Sequence, residues 1–423
     1  MSSPVPSPVG RTGLWTKNFT LLTVATVLGA AGGIAGNFAL SFLVYDQTGS
    51  IFASALLLAI QILPNTFVPL VAGPLLDRFP RKPFLVGGDA LNGLLYALAG
   101  FYLLRFEFSY GGYLVFSLLL ACLGSFDSLA YNSILPMLIP AGQEEKGYTV
   151  ASMTYTVLNV IMTPVAAVLY GAIGVGNILL LQGALSFAAA LIESRVRLQE
   201  APRLNGQRFD ARLWWQDLKD AAAYLRAEPG LLRIFGYAAI SGGLGQGCYP
   251  LLIAFFSSTP GFTATMYSFF SAADCIGRSI GGVWKFRHPV PPGKRFRFTF
   301  FVYQLYDWME ALLLWLPYPL MLLNRVLVGF FGMNSATIRQ AAVQSYIPDE
   351  MRGRINGFFN LLTSAACSVL YLLVGALGDA LTPRLCYTLC GLLSLAASVT
   401  LIWGGRRAVA PVFDPPAAPQ PGE

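Results

Sequence analysis

The stretch GPLLDRFPRKPF, residues Gly73–Phe84, places four charged side chains between two long apolar segments. The glycine and the three prolines favour a sharp turn, and each flanking segment is long enough to cross a bilayer core of about 30 Å. Lys and Arg are retained on the cytoplasmic side of such turns. The stretch therefore predicts a short cytoplasmic loop between two membrane-spanning helices. Its charged residues are Asp77, Arg78, Arg81 and Lys82.

The composition extends this prediction to the whole chain, which is 55% hydrophobic and only 12% charged. A soluble protein carries about 25% charged residues. The strands of a membrane barrel are short and alternate in polarity, which does not fit long apolar runs. The pattern predicts an all-α polytopic membrane protein with twelve transmembrane helices. The apolar blocks lie at about 19–45, 50–75, 84–104, 112–139, 149–172, 174–193, 231–257, 262–284, 298–316, 319–346, 355–378 and 384–404.

The basic residues predict the orientation of these helices. Of the 28 Lys and Arg residues, 23 fall on the side that carries both termini, whereas only Arg105 and Arg384 fall in loops on the other side. This asymmetry predicts a multi-pass protein of the cell membrane with both termini in the cytoplasm. The net charge of +7 is then a topology signal that also attracts anionic lipid headgroups. It does not indicate a nucleic-acid partner.

A polar stretch divides the twelve blocks into two sets of six that resemble each other at an offset of about 208 residues. Ile139-Pro140 corresponds to Ile347-Pro348, and GGIAGN at 32–37 corresponds to GGLGQG at 242–247. These matches predict two pseudo-symmetric six-helix bundles, an architecture in which the substrate site lies between the halves.

The predicted domains follow from this division. In the linker, Leu218, Ala221 and Leu225 share one face of a predicted amphipathic helix, which is expected to lie on the cytoplasmic membrane surface. A plain solvated linker helix is the alternative. The domains are a cytoplasmic N-terminal segment (1–18), an N-terminal bundle (19–193), the linker (194–230), a C-terminal bundle (231–405) and a disordered cytoplasmic tail (406–423).

The opening stretch resembles the major facilitator superfamily, whose loop between helices 2 and 3 has the pattern G-x-L-x-D-R-x-G-R-[RK]. Pro80 replaces the second glycine of that pattern here. Further motifs resemble the enterobactin-exporter and macrolide-efflux-like branch of the family. They are T-G-S at 48–50, Q-x-x-P at 61–64 and IPDEMRGRING at 347–357.

The resemblance implies the major facilitator fold and a secondary active transporter that works by alternating access. We expect proton-coupled export of a small organic molecule, drug-like or siderophore-like, by a monomer in the lipid bilayer. The alternatives are a lipid, lysolipid or nutrient carrier of the same fold, or a receptor-like carrier that does not transport.

The resemblance also implies that the loop between helices 2 and 3 is a conformational latch. A carboxylate there can interact with the N-terminus of a helix in the other half, or with an arginine, in one conformation only. The alternative is that the basic residues only fix the topology. The candidate latch residues are Gly73, Asp77, Arg78, Arg81 and Lys82.

Charged side chains inside the membrane cost at least about 3 kcal/mol each on insertion scales, so each needs a reason. Asp274 and Arg278 are four residues apart on one helix face and can pair. Glu310 and Arg325 lie at matching depths on successive helices, which predicts a second structural pair. Because the resemblance makes helix 9 peripheral, neither Asp307 nor Glu310 is expected to contact substrate.

Asp127 has no partner three or four residues away and is the candidate proton-coupling residue, because a carboxyl shielded from water can accept a proton. The repeat offset relates Tyr131 to Arg339, and the resemblance places helices 1, 4, 7 and 10 around the cavity. A static Asp127–Arg339 ion pair is the alternative. The candidate cavity and coupling residues are Asp127, Tyr131, Asn132, Arg339, Asn37 and Gln246.

The sequence argues against an enzyme, a metal site and a cofactor. Its one histidine, His288, falls in a polar loop, and there is neither an HExxH nor a GxxxxGK[ST] motif. The six cysteines form no C-x-x-C pair and are expected to pack as small apolar residues.

Overall fold

A computed structural model describes residues 13–140, 143–198, 211–288, 290–291 and 293–414. These residues form helices and connecting turns, with no strand among them. A single 3₁₀ turn, Leu313–Trp315, follows α9, and a π-helical stretch, Ser398–Trp403, follows α12. The helices are α1 Lys17–Thr48, α2 Ile51–Arg78, α3 Arg81–Arg105, α4 Tyr110–Leu138, α5 Glu144–Glu193, α6 Ala211–Ala227, α7 Pro229–Ser258, α8 Ala264–Arg287, α9 Arg295–Leu312, α10 Tyr318–Tyr346, α11 Asp349–Ala380, α12 Pro383–Ala397 and α13 Arg406–Phe413.

Helix α5 crosses the membrane twice, because its 50 residues break at Gly174, where φ is 75° and ψ is 167°. Its first turn packs on the end of α4, since a Cβ on Gly147 would touch Ile139. Its last residue precedes Ser194, whose carbonyl accepts a hydrogen bond from Lys82 at the start of α3. Both ends of α5 therefore lie on one side of the bundle, and Gly174 lies on the other.

Twelve membrane crossings result. Nine helices of the described chain are long and apolar enough to cross a membrane, with α5 counted once. Its two arms add one crossing. Helices α8 and α9 add two more, although their charged residues lower their apolar character. The predicted twelve helices in two six-helix bundles are thus confirmed, with α1–α5 in the N-terminal bundle and α7–α12 in the C-terminal bundle.

The two faces of the molecule can be told apart by their contacts. The start of α1 is tied to the residues after α5, because Asn18 Nδ2 donates to Arg197 O at 2.8 Å. The start of α7 is packed against α13. We call the face with these ends the terminal face, and the face that carries the beginning of α2 and the end of α11 the far face.

At the far face, one carboxylate joins the two bundles. Asp379 near the end of α11 accepts hydrogen bonds from Ser50 Oγ at 2.7 Å, Ile51 N at 2.6 Å and Phe52 N at 3.2 Å. Helix N-termini carry unpaired N–H groups and a partial positive charge, so this contact satisfies both partners. Gly375 packs one turn deeper against the α2 backbone at Phe52. The far face is therefore closed between α2 and α11.

The linker helix α6 differs from its expected position. Ala221 and Leu225 are buried in an apolar cluster with Ile355 of α11, and α6 also contacts α7. Asp220 pairs with Arg354 Nη1 at 3.3 Å. Protein, rather than lipid, thus covers this part of the apolar face of α6. The side chains of residues 211–214 and 217 lie outside the described part.

The prediction of a disordered tail from residue 406 is wrong for its first nine residues. Arg406–Phe413 forms α13, and Val409, Val412 and Phe413 are buried because their spacing puts them on one helix face. Asp414 then caps the start of α9, accepting hydrogen bonds from Gly293 N at 2.7 Å and Phe296 N at 3.1 Å. Residues 415–423 lie outside the described residues.

The break in α5 can be tested by substitution. Gly174→Ala should destabilise the protein by about 1–3 kcal/mol, because its backbone conformation is accessible almost only to glycine. Gly171→Ala is the matched control: it adds the same methyl group to the adjacent turn, where nothing lies within 4 Å, and should be neutral or slightly stabilising. Thermal unfolding in detergent measures both, and equal midpoints would contradict the assignment of Gly174 as the turn.

Candidate functional site

A cavity of about 280 Å³ lies between the two bundles. Gln61 Nε2 donates to Ser117 Oγ at 2.5 Å on its N-terminal side. The cavity brings together Asn37 and Gln246, two of the predicted cavity residues. Its lining combines apolar side chains with uncharged polar ones, and the polar residues that line it are Asn37, Ser41, Gln61, Tyr113, Ser117, Gln246, Tyr249 and Tyr371.

A larger cavity of about 500 Å³ lies inside the C-terminal bundle, between α7, α8, α9, α10 and α12. Gln246 and Tyr249 line both cavities, so the two adjoin at the middle of α7. Although the resemblance makes α9 peripheral, Asp307 and Glu310 both line this cavity. Its charged lining residues are Asp274, Arg278, Asp307, Glu310, Arg325 and Arg339.

Four of these charges form a connected ion-pair cluster. Arg325 Nη1 lies 2.6 Å from Glu310 Oε1, and Arg278 Nε lies 2.6 Å from Asp274 Oδ2. Arg325 Nε approaches Asp274 Oδ1 at 3.6 Å, which joins the two pairs. Tyr387 donates a hydrogen bond to Glu310, and the Arg325 guanidinium lies over the ring of Phe270. The structure thus brings together both pairs that the sequence indicates, in one connected network.

The other two charges of the cavity meet hydroxyl groups rather than opposite charges. Ser394 Oγ donates to Asp307 Oδ1 at 2.8 Å, and the Asp307 side chain is only 1% exposed. Arg339 lies against the hydroxyl group of Tyr303, one turn before Asp307 on α9. Arg339 therefore faces the C-terminal cavity, and the structure does not bring it to Asp127.

Asp127 lies instead in a cluster of three carboxyl groups, which we call the acidic cluster: Asp89 of α3, Asp127 of α4 and Glu193 at the end of α5. Glu193 is 3% exposed, and neither its Oε2 nor Asp127 Oδ1 has a hydrogen-bond partner. Within the described residues no Lys or Arg lies within 4 Å of these carboxylates. Tyr131 lies beside Thr26 and Glu193, at the edge of the cluster.

The remaining predicted site residues fall elsewhere. Asn132 is exposed and its Nδ2 donates to Ser128 Oγ at 3.4 Å, away from both cavities. Arg81 Nη1 donates to Ser133 O at 2.9 Å, and Lys82 Nζ donates to Ser194 O at 2.6 Å, so both tie the start of α3 to its neighbours. Gly73, Asp77 and Arg78 belong to the end of α2, and their side chains lie outside the described part of the chain.

Sequence reasoning missed Asp379, Tyr303 and Glu193, and it did not place Asp307 at a cavity. Asp379 follows a long apolar run, at the end of a predicted helix. A carboxylate in that position could have been predicted to cap the start of a neighbouring helix. Tyr303 and Asp307 are four residues apart, which puts them on one face of α9. Glu193 was missed because it stands at the end of its apolar block, where a carboxylate is usually solvated.

Two six-helix halves around a polar interior are the arrangement of membrane transporters rather than of enzymes. The family comparison agrees: the chain matches the model of the Major Facilitator Superfamily over residues 21–305 and 309–421. Since this match covers nearly the whole chain, the chain belongs to that family and is a multi-pass membrane transporter.

Curated relatives match only parts of the chain. An uncharacterised transporter of the same family, YkuC of Bacillus subtilis, is 26% identical over 194 residues, which are 45% of this chain and 44% of the relative. The multidrug efflux pump Tap of Mycobacterium bovis is 35% identical over 123 residues, 27% of this chain and 28% of the relative. The matched regions thus span less than half of either relative.

Solved structures match over almost the full length. The nucleoside transporter NupG superposes with a TM-score of 0.70 at 12% identity, covering 92% of this chain and 99% of NupG. A bacterial homologue of the iron transporter ferroportin, solved in an inward-facing state, gives 0.69 at 15% identity, covering 93% and 98%. At such identities these likenesses show the fold alone.

The ion-pair cluster can be tested by neutralising one partner. Glu310→Gln should cost about 3–5 kcal/mol, because it leaves Arg325 half-paired in a buried position. Asp220→Asn is the control: it removes one partner of an ion pair outside the network whose side chains are 58% and 44% exposed, so the loss should stay below about 1 kcal/mol. Thermal unfolding in detergent measures both. The charge-reversed double variant E310R/R325E should recover part of the stability, and failure to exceed either single reversal would contradict the pairing.

Proposed function

We propose that this chain is a proton-coupled exporter of a small organic molecule, drug-like or siderophore-like, that works by alternating access. The observation that carries the proposal is the pair of adjoining polar cavities beneath a closed far face. The partial similarity to a multidrug efflux pump favours drug-like cargo, and the sequence motifs favour the enterobactin-exporter and macrolide-efflux-like branch. A single chain lines both cavities, which is compatible with a working monomer.

The orientation in this proposal comes from the basic residues. The terminal face carries most of the Lys and Arg, so we place it in the cytoplasm. The far face then lies outside the cell, and the contact of Asp379 with the start of α2 closes the outward exit. In this state the cavities would load from the cytoplasm.

Two carboxylates at opposite ends of the same helix pair are proposed as alternating latches. Helices α2 and α11 run antiparallel, so the end of each lies beside the start of the other. Asp379 at the end of α11 caps α2 at the far face. Asp77 at the end of α2 would cap the start of α11 at the terminal face when the far face opens. This role for Asp77 rests on the loop motif and on the symmetry of the two ends.

Proton coupling is assigned to the acidic cluster, with Asp127 as its central member. Three neighbouring carboxyl groups that have no basic partner among the described residues cannot all be ionised in a low-dielectric interior, because their charges repel and lack solvation. The groups that face the cluster are Tyr131 of α4 and Tyr155 of α5, neither of them basic. The alternative of a static Asp127–Arg339 pair loses support, since Arg339 lies beside Tyr303.

The proposal is tested in vesicles that contain the purified protein and an imposed pH gradient. Norfloxacin, a fluorescent drug-like molecule, should accumulate against its gradient in wild-type vesicles and exchange in counterflow. Asp127→Asn should abolish gradient-driven accumulation while retaining counterflow, because the cavity remains but the proton site is impaired.

Asp220→Asn is the control for this measurement, since Asp220 is an exposed carboxylate on α6 and should leave accumulation unchanged. Full gradient-driven accumulation by the Asp127 variant would remove the coupling role. Absence of both accumulation and counterflow in wild-type vesicles, across a panel of drug-like molecules, would contradict the transporter proposal itself.

A further inference from the structure

We propose that the C-terminal cavity binds a zwitterionic molecule, whose amine pairs with Asp307 and whose acidic group pairs with Arg339. The inference rests on the proposed function in taking the bound molecule to be the exported one. It specifies the substrate as an aromatic body with separated positive and negative groups.

Asp307 supplies one half of this site. Its Oδ1 accepts a hydrogen bond from Ser394, its Oδ2 has no well-formed hydrogen bond, and the residue is almost wholly buried. The hydroxyl of Tyr237 lies nearby, but no basic side chain of the described chain lies within 4 Å. A buried carboxylate that lacks a counter-charge is costly inside a membrane protein. An ammonium group on the substrate would provide that counter-charge.

Arg339 supplies the other half. Its guanidinium lies against Tyr303, and among the described residues no carboxylate is within 4 Å of it. The other two arginines of the cavity differ in this respect, because Arg325 pairs with Glu310 and Arg278 with Asp274. Among the described residues, Arg339 is thus the arginine of the cavity lining that has no carboxylate partner. Guanidinium groups bind carboxylates in a planar, two-pronged geometry.

The two charges face one cavity without pairing with each other. Tyr303 and Asp307 are one turn apart on α9, and the Arg339 guanidinium of α10 lies against the Tyr303 hydroxyl. Because Asp307 and Arg339 form no ion pair with each other, a substrate that satisfies both must carry its positive and negative charges on separate groups of its body.

The rest of the cavity suits an aromatic body between these charges. Tyr237 and Tyr306 add ring surfaces to the lining. On α7, Gly242 and Gly245 leave open space, since a Cβ at either position would meet nothing within 4 Å. A volume of about 500 Å³ is in the range that holds drug-sized molecules.

Binding to the purified protein in detergent tests the inference with three related quinolones. Norfloxacin carries an amine and a carboxylate at opposite ends, its methyl ester keeps only the amine, and nalidixic acid keeps only the carboxylate. We expect wild-type protein to bind norfloxacin at least tenfold more tightly than either single-charge compound, as measured by tryptophan fluorescence quenching.

Two variants separate the contributions. Asp307→Asn should weaken norfloxacin and its ester at least tenfold and leave nalidixic acid within twofold. Arg339→Gln should weaken norfloxacin and nalidixic acid and spare the ester. Gln340→Ala, which changes an exposed residue next to Arg339 outside the cavity lining, should leave all three affinities within twofold.

The affinities of wild-type protein for the three compounds test the inference even if a variant fails to fold. Equal affinity for all three, or no binding of norfloxacin, overturns the inference. Equal affinity for the three compounds, together with accumulation of norfloxacin in vesicles, would reject the zwitterion site and leave the transport proposal standing. Selective binding with no accumulation and no counterflow would reject the proposed transport and retain the site.

Discussion

The carboxylate of Asp379 reaches across the boundary between the two bundles and holds the first turn of α2. Three donors of that turn, one hydroxyl and two backbone N–H groups, converge on it. Beneath it, α1, α7 and α8 contribute Phe38, Phe42, Phe256 and Tyr267 to one apolar cluster that joins the halves. This closure lies at the far face, so under the proposed function it blocks access to the polar interior from that side.

The interior has two different electrostatic environments. In the C-terminal bundle, Asp274, Arg278, Glu310 and Arg325 neutralise each other, which makes this network structural. In the N-terminal bundle, the acidic cluster has no basic partner among the described residues. Burial penalises charge in both places. In an ion-pair network each charge stabilises its partner and the protonation states stay fixed, whereas a group of carboxyls can gain or lose a proton. This contrast underlies the proposal that the N-terminal half binds and releases protons and the C-terminal half binds the exported molecule.

The sequence was sufficient to predict the helices and their division into two halves. Both predictions use the length of an apolar run and the repeat offset, which do not depend on how a helix is rotated about its axis. Matching depth alone also related Glu310 to Arg325. Rotation was the missing information: α4 is apolar on most of its surface, so nothing in its pattern shows that Asp127 faces Asp89 rather than the central cavity. The family position of α9 likewise gave no sign that Asp307 lines a cavity, since a peripheral helix still turns one face inward.

The far-face closure is most directly tested by distances between spin labels at Gly111→Cys and Leu320→Cys in a cysteine-free background. These positions mark the far ends of the two bundles. Wild-type protein should show a short distance as its main population. Asp379→Asn should add a population with a longer distance between the labels. Adding Asp77→Asn to the Asp379→Asn variant should reduce that longer population, because the two carboxylates are proposed to hold opposite faces closed. A distance distribution that Asp379→Asn leaves unchanged would contradict the claim that this carboxylate closes the transporter.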